Sequence, residues 1–123
     1  MDAIRGNVAI RAWNLFQDPA NRDVLAGVTT TVVRNLLRVV MEATAVEELW
    51  IVLEYQSARR FLSEEAKRLI HEQVEAALKE NEGASSDDRQ SRQLDVVRSF
   101  LGHLARLQRV VAESRRPDRG GGR

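Results

Sequence analysis

Residues 94–111 read LDVVRSFLGHLARLQRVV, and this stretch decides the fold class. Its apolar side chains recur at intervals of three and four, which places them on one face of a helix. Only Gln108 interrupts the stripe, whose members are Leu94, Val97, Leu101, Leu104, Ala105 and Val111. Asp87 or Asp88, just before it, can cap the helix N-terminus. The segment therefore predicts a long amphipathic helix packed against a core.

The N-terminal part of the chain carries two more stripes with the same period. The first ends near Pro19 and consists of Ile4, Val8, Ala12, Trp13 and Phe16. A polar connector is expected from there to about Gly27. Residues 29–31 are threonines whose hydroxyls can cap a second helix. That helix would bury Val32, Val33, Leu36, Leu37, Val40 and Ala43.

The middle of the chain predicts two segments, either as separate helices or as one bent helix. The third segment runs from about Val46 to Phe61, with Leu49, Trp50, Leu53 and Tyr55 apolar. Ser63 then caps a fourth, with inner residues Leu69, Ile70, Val74, Ala77 and Leu78. No strand-turn-strand pattern and no repeat is visible. We therefore predict an all-α compact bundle of about five helices over residues 1–114, with a disordered basic tail over 115–123.

Composition excludes several classes of function. The chain has 123 residues, 43% of them hydrophobic, which is enough for one domain with a modest core. It has no cysteine, so disulfides and thiol chemistry are excluded. The N-terminus lacks the pattern of a secretory signal, and no apolar run reaches the ~18 residues of a membrane helix. We expect a cytoplasmic protein without membrane contact.

Candidate catalytic and metal-binding groups are few. His71 and Glu75 are four residues apart on a predicted helix, but no third metal ligand accompanies them. His103 has no evident catalytic partner, and Gly120–Gly122 precede no helix that would present amides to a phosphate. The sequence therefore predicts a protein that is not an enzyme and that uses no metal or cofactor.

Charge is distributed unevenly along the chain. The net charge of +1 combines +1 for residues 1–45, −4 for residues 46–82 and +4 for residues 83–123. Arginine supplies 17 of the 19 basic residues, and its planar fork suits bidentate phosphate contacts. A GC-rich coding sequence would produce the same bias, so composition alone leaves both explanations open.

Two arginine pairs are the candidate binding residues. Arg34 and Arg38 lie four apart on the second predicted helix and so project from one face. Arg59 and Arg60 end the third segment. Such side chains can lie along a nucleic-acid backbone without reading its sequence. The competing interpretation is a solvated face in which Arg38 pairs with Glu42 and Arg60 with Glu64.

Three stretches resemble the small helical subunit of type III-A (Csm-type) CRISPR effector complexes, or a close type III relative. Residues 28–37, VTTTVVRNLL, resemble the Thr-Thr-x-x-x-Arg helix start of that family. Residues 53–59, LEYQSAR, resemble its Tyr-x-x-(Gly/Ala)-Arg element, and residues 97–104, VRSFLGHL, occupy the place of its closing helix. The chain departs from the family pattern at residues 50–52, before the tyrosine, where a Pro-Lys or Pro-Arg pair is common. It departs again at residues 107–109, in the last helix, where the family often has aromatic residues.

The resemblance implies a non-catalytic subunit, present in several copies, of an RNA-guided antiviral ribonucleoprotein. Each copy would contact the backbone of guide RNA and target RNA, neighbouring guide-binding subunits and further copies of itself. Arg34 and Arg59 match the family's arginines, whereas Arg38 and Arg60 are added from helical geometry. Tyr55 is expected to be a core or interface anchor.

Two other functions remain as alternatives. The first is a helical adaptor that binds only protein, through the acidic segment from Glu47 to Glu82. The second is a helix-turn-helix regulator, which is disfavoured because the segment from Ser63 to Lys79 carries four glutamates that would meet phosphates in a groove.

Overall fold

The computed structural model describes residues 2–83 and 88–114, and within them the chain is all-α with six helices and no strand. The helices are α1 (Asp2–Gln17), α2 (Pro19–Ala26), α3 (Thr30–Glu42), α4 (Glu47–Ala58), α5 (Glu64–Glu80) and α6 (Arg89–Ser114). The all-α prediction is confirmed. The tail expected to be disordered, residues 115–123, lies outside the described residues.

The C-terminal helix α6 is the centre of the bundle. It has 26 residues and packs against α1, α2, α3 and α5, while α4 packs against α3 and α5. The predicted stripe is buried except for the half-buried Ala105. Val96, Phe100 and Gln108 are buried as well. A helix surrounded by four others buries a wider face than one stripe, which is why the period alone underestimated its core.

The polar connector expected between Pro19 and Gly27 is wrong, because this segment forms α2. The Asp18 carboxylate accepts a hydrogen bond from the Ala20 amide at 2.9 Å and caps the helix. Pro19 occupies the first turn, where its missing N–H costs nothing. Leu25 is buried and holds α2 in the core. A short helix with a single buried side chain leaves little periodic signal, which explains the five helices predicted against six observed.

The predicted hydroxyl and carboxylate caps are confirmed at three helix starts. Thr29 Oγ1 accepts from the Val32 amide at 3.2 Å and caps α3. Ser63 Oγ accepts from the Ala66 amide at 3.0 Å and caps α5. Asp88 accepts from the Ser91 amide at 3.1 Å at the start of α6. A turn at residues 59–63 separates α4 from α5, so these two segments are separate helices.

Aromatic residues on the predicted stripes are largely outside the core. Trp13 is 55% exposed. Leu15, which was not on the predicted stripe, is buried in its stead. Tyr55 is 54% exposed, and Trp50 is half-buried. The prediction that Trp13 faces the core is therefore wrong.

Two buried amides link helices across the bundle. Gln108 Nε2 donates to the Val28 carbonyl at 2.8 Å, and its Oε1 accepts from the Thr30 hydroxyl at 3.4 Å. Asn81 Nδ2 donates to the Ala77 carbonyl at 2.8 Å, and its Oδ1 accepts from Asn7 Nδ2 at 3.2 Å. Both are buried groups that have their hydrogen-bond partners.

Among the described residues, no single helix combines the length and apolar character needed to cross a membrane. Helices α2 and α3 meet that test only when counted together, and the chain bends by 93° between them.

Candidate functional site

A cleft of about 680 Å³ lies between α3 and the turn that follows α4. It contains two of the four predicted arginines. Its lining residues are Thr29, Thr31, Val32, Arg34, Asn35, Arg38, Gln56 and Phe61. Arginine is the only charged residue type in this set, so the cleft is electropositive and favours an anion.

Helix α3 presents Arg34 and Arg38 side by side. Both are exposed and lie one turn apart, on the helix that Thr29 caps. Arg38 donates to the Asn35 side-chain oxygen, whereas Arg34 makes no hydrogen bond or ion pair with any described residue. The alternative pairing of Arg38 with Glu42 does not form within the described residues. The positive charge of this face is therefore not neutralised locally.

The turn after α4 is a Schellman motif that fixes the backbone of Arg59 and Arg60. The Arg60 amide donates to the Ser57 carbonyl, and the Phe61 amide donates to the Gln56 carbonyl, each at 3.0 Å. These are the two hydrogen bonds of that motif. Arg60 has φ 65°, the left-handed conformation that such turns usually assign to glycine. The motif ends the helix abruptly and brings Phe61 to the cleft.

Arg59 lies against two exposed aromatic rings. Its Nη1 donates to the Tyr55 hydroxyl at 2.9 Å. Its Cζ is 5.7 Å from the Tyr55 ring centroid and 5.3 Å from that of Phe61, both within the range of cation–π attraction. Tyr55 and Phe61 are 54% and 53% exposed. Tyr55 is therefore not a core anchor, and its role as an interface anchor stays a prediction.

Gln56 is a buried amide whose side chain has no hydrogen-bond partner in the described part of the chain. It is 8% exposed and lines the cleft, yet its side chain makes no hydrogen bond to any described residue. A side-chain amide offers two donors and an acceptor. A buried amide that has no hydrogen-bond partner is energetically costly. Because Gln56 lines the cleft, a polar group bound there could supply the missing partner.

The nearby carboxylate of Glu64 is already occupied. The Ser57 hydroxyl donates to it at 2.8 Å, and Lys67 Nζ lies 3.2 Å from it. These contacts, the Ser57 hydrogen bond first, hold the pKa of Glu64 below its usual range. The alternative pairing of Arg60 with Glu64 is absent from the described part of the chain. Glu64 therefore stays ionised beside the turn without neutralising Arg60.

The four predicted residues are thus placed unequally. Arg34 and Arg38 line the cleft. Arg59 does not line it but lies against Phe61, which does. Arg60 adjoins these groups in sequence but is not among the lining residues. Sequence reasoning missed Gln56 and Phe61 as site residues. The available signal was the spacing of Leu49, Leu53 and Gln56, which puts an amide on the apolar stripe of α4.

The histidine that suggested a metal motif has other contacts. His71 stacks on Trp50 with ring centroids 4.3 Å apart, and its Nε2 is 3.4 Å from the Glu75 carboxylate. Across residues 2–83 and 88–114, no three His, Asp or Glu side chains are grouped so as to hold a metal ion.

No protein-family model, curated protein or solved structure matches this chain.

Proposed function

We propose that this protein binds single-stranded or guide-paired RNA through its sugar-phosphate backbone, as a non-catalytic small subunit of a cytoplasmic type III CRISPR effector. The observation that carries the proposal is the α3–α4 cleft, which is lined by Arg34 and Arg38 and by Phe61, the ring against which Arg59 lies. The assignment to a CRISPR complex rests on the resemblance of residues 28–37, 53–59 and 97–104 to that family.

The chemistry of the cleft suits backbone recognition. Guanidinium groups that have no carboxylate partner can take phosphate oxygens, with affinity that does not depend on base sequence. The Gln56 amide can donate to or accept from a ribose 2′-hydroxyl, the group that distinguishes RNA from DNA. A subunit that must accept any guide requires this kind of contact.

Several weak contacts would act together in an assembly. One copy is expected to bind RNA weakly, because two or three phosphate contacts give modest affinity at physiological salt. Copies arranged along one RNA and held by guide-binding subunits would raise total affinity through effective concentration. The larger subunits would carry any RNA cleavage, as the resemblance implies.

The test is fluorescence anisotropy of labelled single-stranded RNA between about 50 and 200 mM salt. We expect Arg34→Gln with Arg38→Gln to weaken binding and to reduce the slope of log affinity against log salt by about 0.7 per lost phosphate contact. Arg59→Gln should also weaken binding. Arg68→Gln is the matched control, because Arg68 is exposed on α5 and does not line the cleft. Equal affinities of the cleft variants and the control would remove these residues from the site.

Membership of the complex is tested separately. The protein is co-expressed with guide-binding subunits and a guide RNA, and we expect it to co-purify with them in several copies. If it bound no RNA but co-purified with a protein, the adaptor function would replace the RNA-binding function. The exposed glutamates of α4 and α5, which include Glu47, Glu54, Glu65 and Glu72, would then be the surface to mutate.

A further inference from the structure

A second electropositive groove lies between α1 and α6, in a part of the molecule that the predicted site does not use. It consists of two adjoining hollows that share Ala9, His103 and Arg106. The larger, of about 470 Å³, also contains Arg5 and Arg98. The smaller, of about 310 Å³, contains Trp13.

The positive charge of this groove is only partly compensated. Arg98 is committed to the fold, since it donates to the Val40 and Ala43 carbonyls at 2.8 and 3.1 Å at the end of α3. Arg5 is exposed and makes no hydrogen bond or ion pair with another described residue. Within residues 2–83 and 88–114, the one hydrogen bond of the Arg106 side chain is with His103. No carboxylate is among the lining residues of either hollow.

His103 lies beside these arginines, in surroundings that favour its neutral form. Arg106 Nη1 lies 3.3 Å from His103 Nδ1, and because a guanidinium can only donate, Nδ1 accepts and the ring proton is on Nε2. Burial, and then the charge of Arg106, lower the pKa of His103 below its ordinary 6.5. Arg5 and Arg98 are the other charged groups that line this hollow. A bound anion would oppose the effect of the arginines and raise that pKa.

Two glycines form part of the groove wall. Gly6 and Gly102 lie inside α1 and α6, where glycine is less favourable than alanine. A Cβ at Gly6 would meet nothing within 4 Å, and a Cβ at Gly102 would meet only Arg106 Nη1, at 3.9 Å. Internal packing therefore requires neither glycine. Their effect is to let a group from outside approach both helix backbones closely.

Trp13 provides an aromatic surface at the same groove. Its side chain is 55% exposed, and its ring lies 5.7 Å from that of Phe16, which supports it from one side. An exposed indole beside cationic donors is the combination that binds single-stranded nucleic acid, with a base stacked on the ring and phosphate on the cations. A base inside a duplex has no free face for such stacking.

We infer that the α1–α6 groove binds a nucleotide of single-stranded RNA, with its base on Trp13 and its phosphate among Arg5, Arg106 and His103. The choice of RNA as ligand rests on the proposed function, but the site does not depend on the arginines of the α3–α4 cleft. It uses α1, which lies outside the stretches that resemble the CRISPR subunit.

Tryptophan fluorescence tests the inference directly. Trp50→Phe leaves Trp13 as the only tryptophan, and we expect a short oligouridylate to quench its emission saturably. Arg5→Gln with Arg106→Gln on this background should weaken binding by about tenfold or more, as expected for two lost charge-assisted contacts. The control Arg68→Gln should leave it unchanged. Absence of quenching, or equal quenching in the groove variant and the control, would overturn the inference.

Histidine NMR provides a second measurement on the unmodified protein, which also covers the case in which Trp50→Phe does not fold. The chain has two histidines, so His71 serves as an internal reference for His103. Oligouridylate should shift the His103 resonances and raise its pKa while His71 changes little. Inorganic phosphate is the comparison probe. If phosphate shifted His103 as strongly at equal concentration, the groove would be a simple anion site and the nucleotide assignment would be wrong.

The two proposed sites fail independently. Arg34→Gln with Arg38→Gln should leave quenching of Trp13 by a short oligouridylate intact. If these substitutions had no effect on RNA affinity while RNA still quenched Trp13, the proposal that the α3–α4 cleft binds RNA would be wrong. The inference about the α1–α6 groove would be retained. Loss of Trp13 quenching in that variant, with its helical content native, would overturn the inference that the groove binds RNA independently of the α3–α4 cleft.

Discussion

At the scale of the residue, the environment gives chemically similar arginines different tasks. Arg98 caps the end of α3, whereas Arg34 is free of described partners and lines a cleft. Arg60 is set apart by its backbone rather than by its charge, because φ 65° is unfavourable for any side chain with a Cβ. The backbone of Arg60 is therefore strained, and its guanidinium makes no hydrogen bond or ion pair with a described residue that would offset the strain.

The strain predicts a stabilising substitution. Arg60→Gly should raise the free energy of unfolding by up to about 1 kcal/mol, because glycine adopts positive φ readily. Urea denaturation followed by circular dichroism measures the change. Arg59→Gly is the matched control, since Arg59 has φ −81° and the same swap should bring no gain. A less stable Arg60→Gly protein would show that the Arg60 side chain makes a contact worth more than the strain.

At the scale of the element, α6 shows how a helix face is decided by its neighbours. Its apolar period predicts a stripe in which Gln108 is an interruption. In the bundle Gln108 is 2% exposed and satisfies the Val28 carbonyl and the Thr30 hydroxyl just before and at the start of α3. The amide therefore joins two elements at a place where an apolar residue would leave buried polar groups unpaired.

Gln108→Leu tests whether Gln108 is only an interruption of the apolar stripe or a hydrogen-bonded link between α6 and the start of α3. It completes the apolar stripe, yet we expect it to destabilise the protein by about 1–3 kcal/mol, because the Val28 carbonyl loses its donor. The measurement is the midpoint and slope of urea unfolding. Arg109→Leu, at the neighbouring exposed position, is the control and should change stability little. A gain in stability on Gln108→Leu would mean that the carbonyl finds another partner.

At the scale of the whole molecule, α1 and α2 belong to the same core as the segments that resemble the CRISPR subunit. Both helices pack on α6. Together they bury Ile4, Val8, Ala12, Leu15 and Leu25. Arg11 reaches from α1 to α5, where it pairs with Glu80 and donates to Gln73. The N-terminal helices are therefore part of the folding unit.

Removal of residues 1–27 should abolish cooperative folding. Four large apolar side chains at about 1.5–3 kcal/mol each amount to about 6–12 kcal/mol, which is comparable to the whole net stability of a small domain. Thermal unfolding followed by circular dichroism should show a broad, weak transition. A chain ending at Ser114 is the control and should unfold as the full protein does, because the removed tail has no large apolar residue. A sharp transition in the N-terminal deletion would contradict a shared core.

The all-α class, three of the helix starts and most of the buried positions follow from the sequence alone. Periodicity and capping are local, so Thr29, Ser63 and Asp88 could be recognised as caps without knowing what surrounds them. The pairing of Arg34 with Arg38 on one face is equally local, since it follows from a spacing of four.

The tertiary structure was needed to show which apolar residues lie outside the core, which polar residues lie inside it, and what the packed helices enclose. Trp13 and Tyr55 are apolar enough for a core, but they lie where no helix covers them, whereas Gln108 lies where helices meet. The α3–α4 cleft depends on a turn of positive φ at Arg60, and the α1–α6 groove joins residues of α1 to residues of α6 that are 85 or more positions away in the chain. Burial and juxtaposition are properties of packed neighbours, and a period of 3.6 residues specifies a face without specifying its partner.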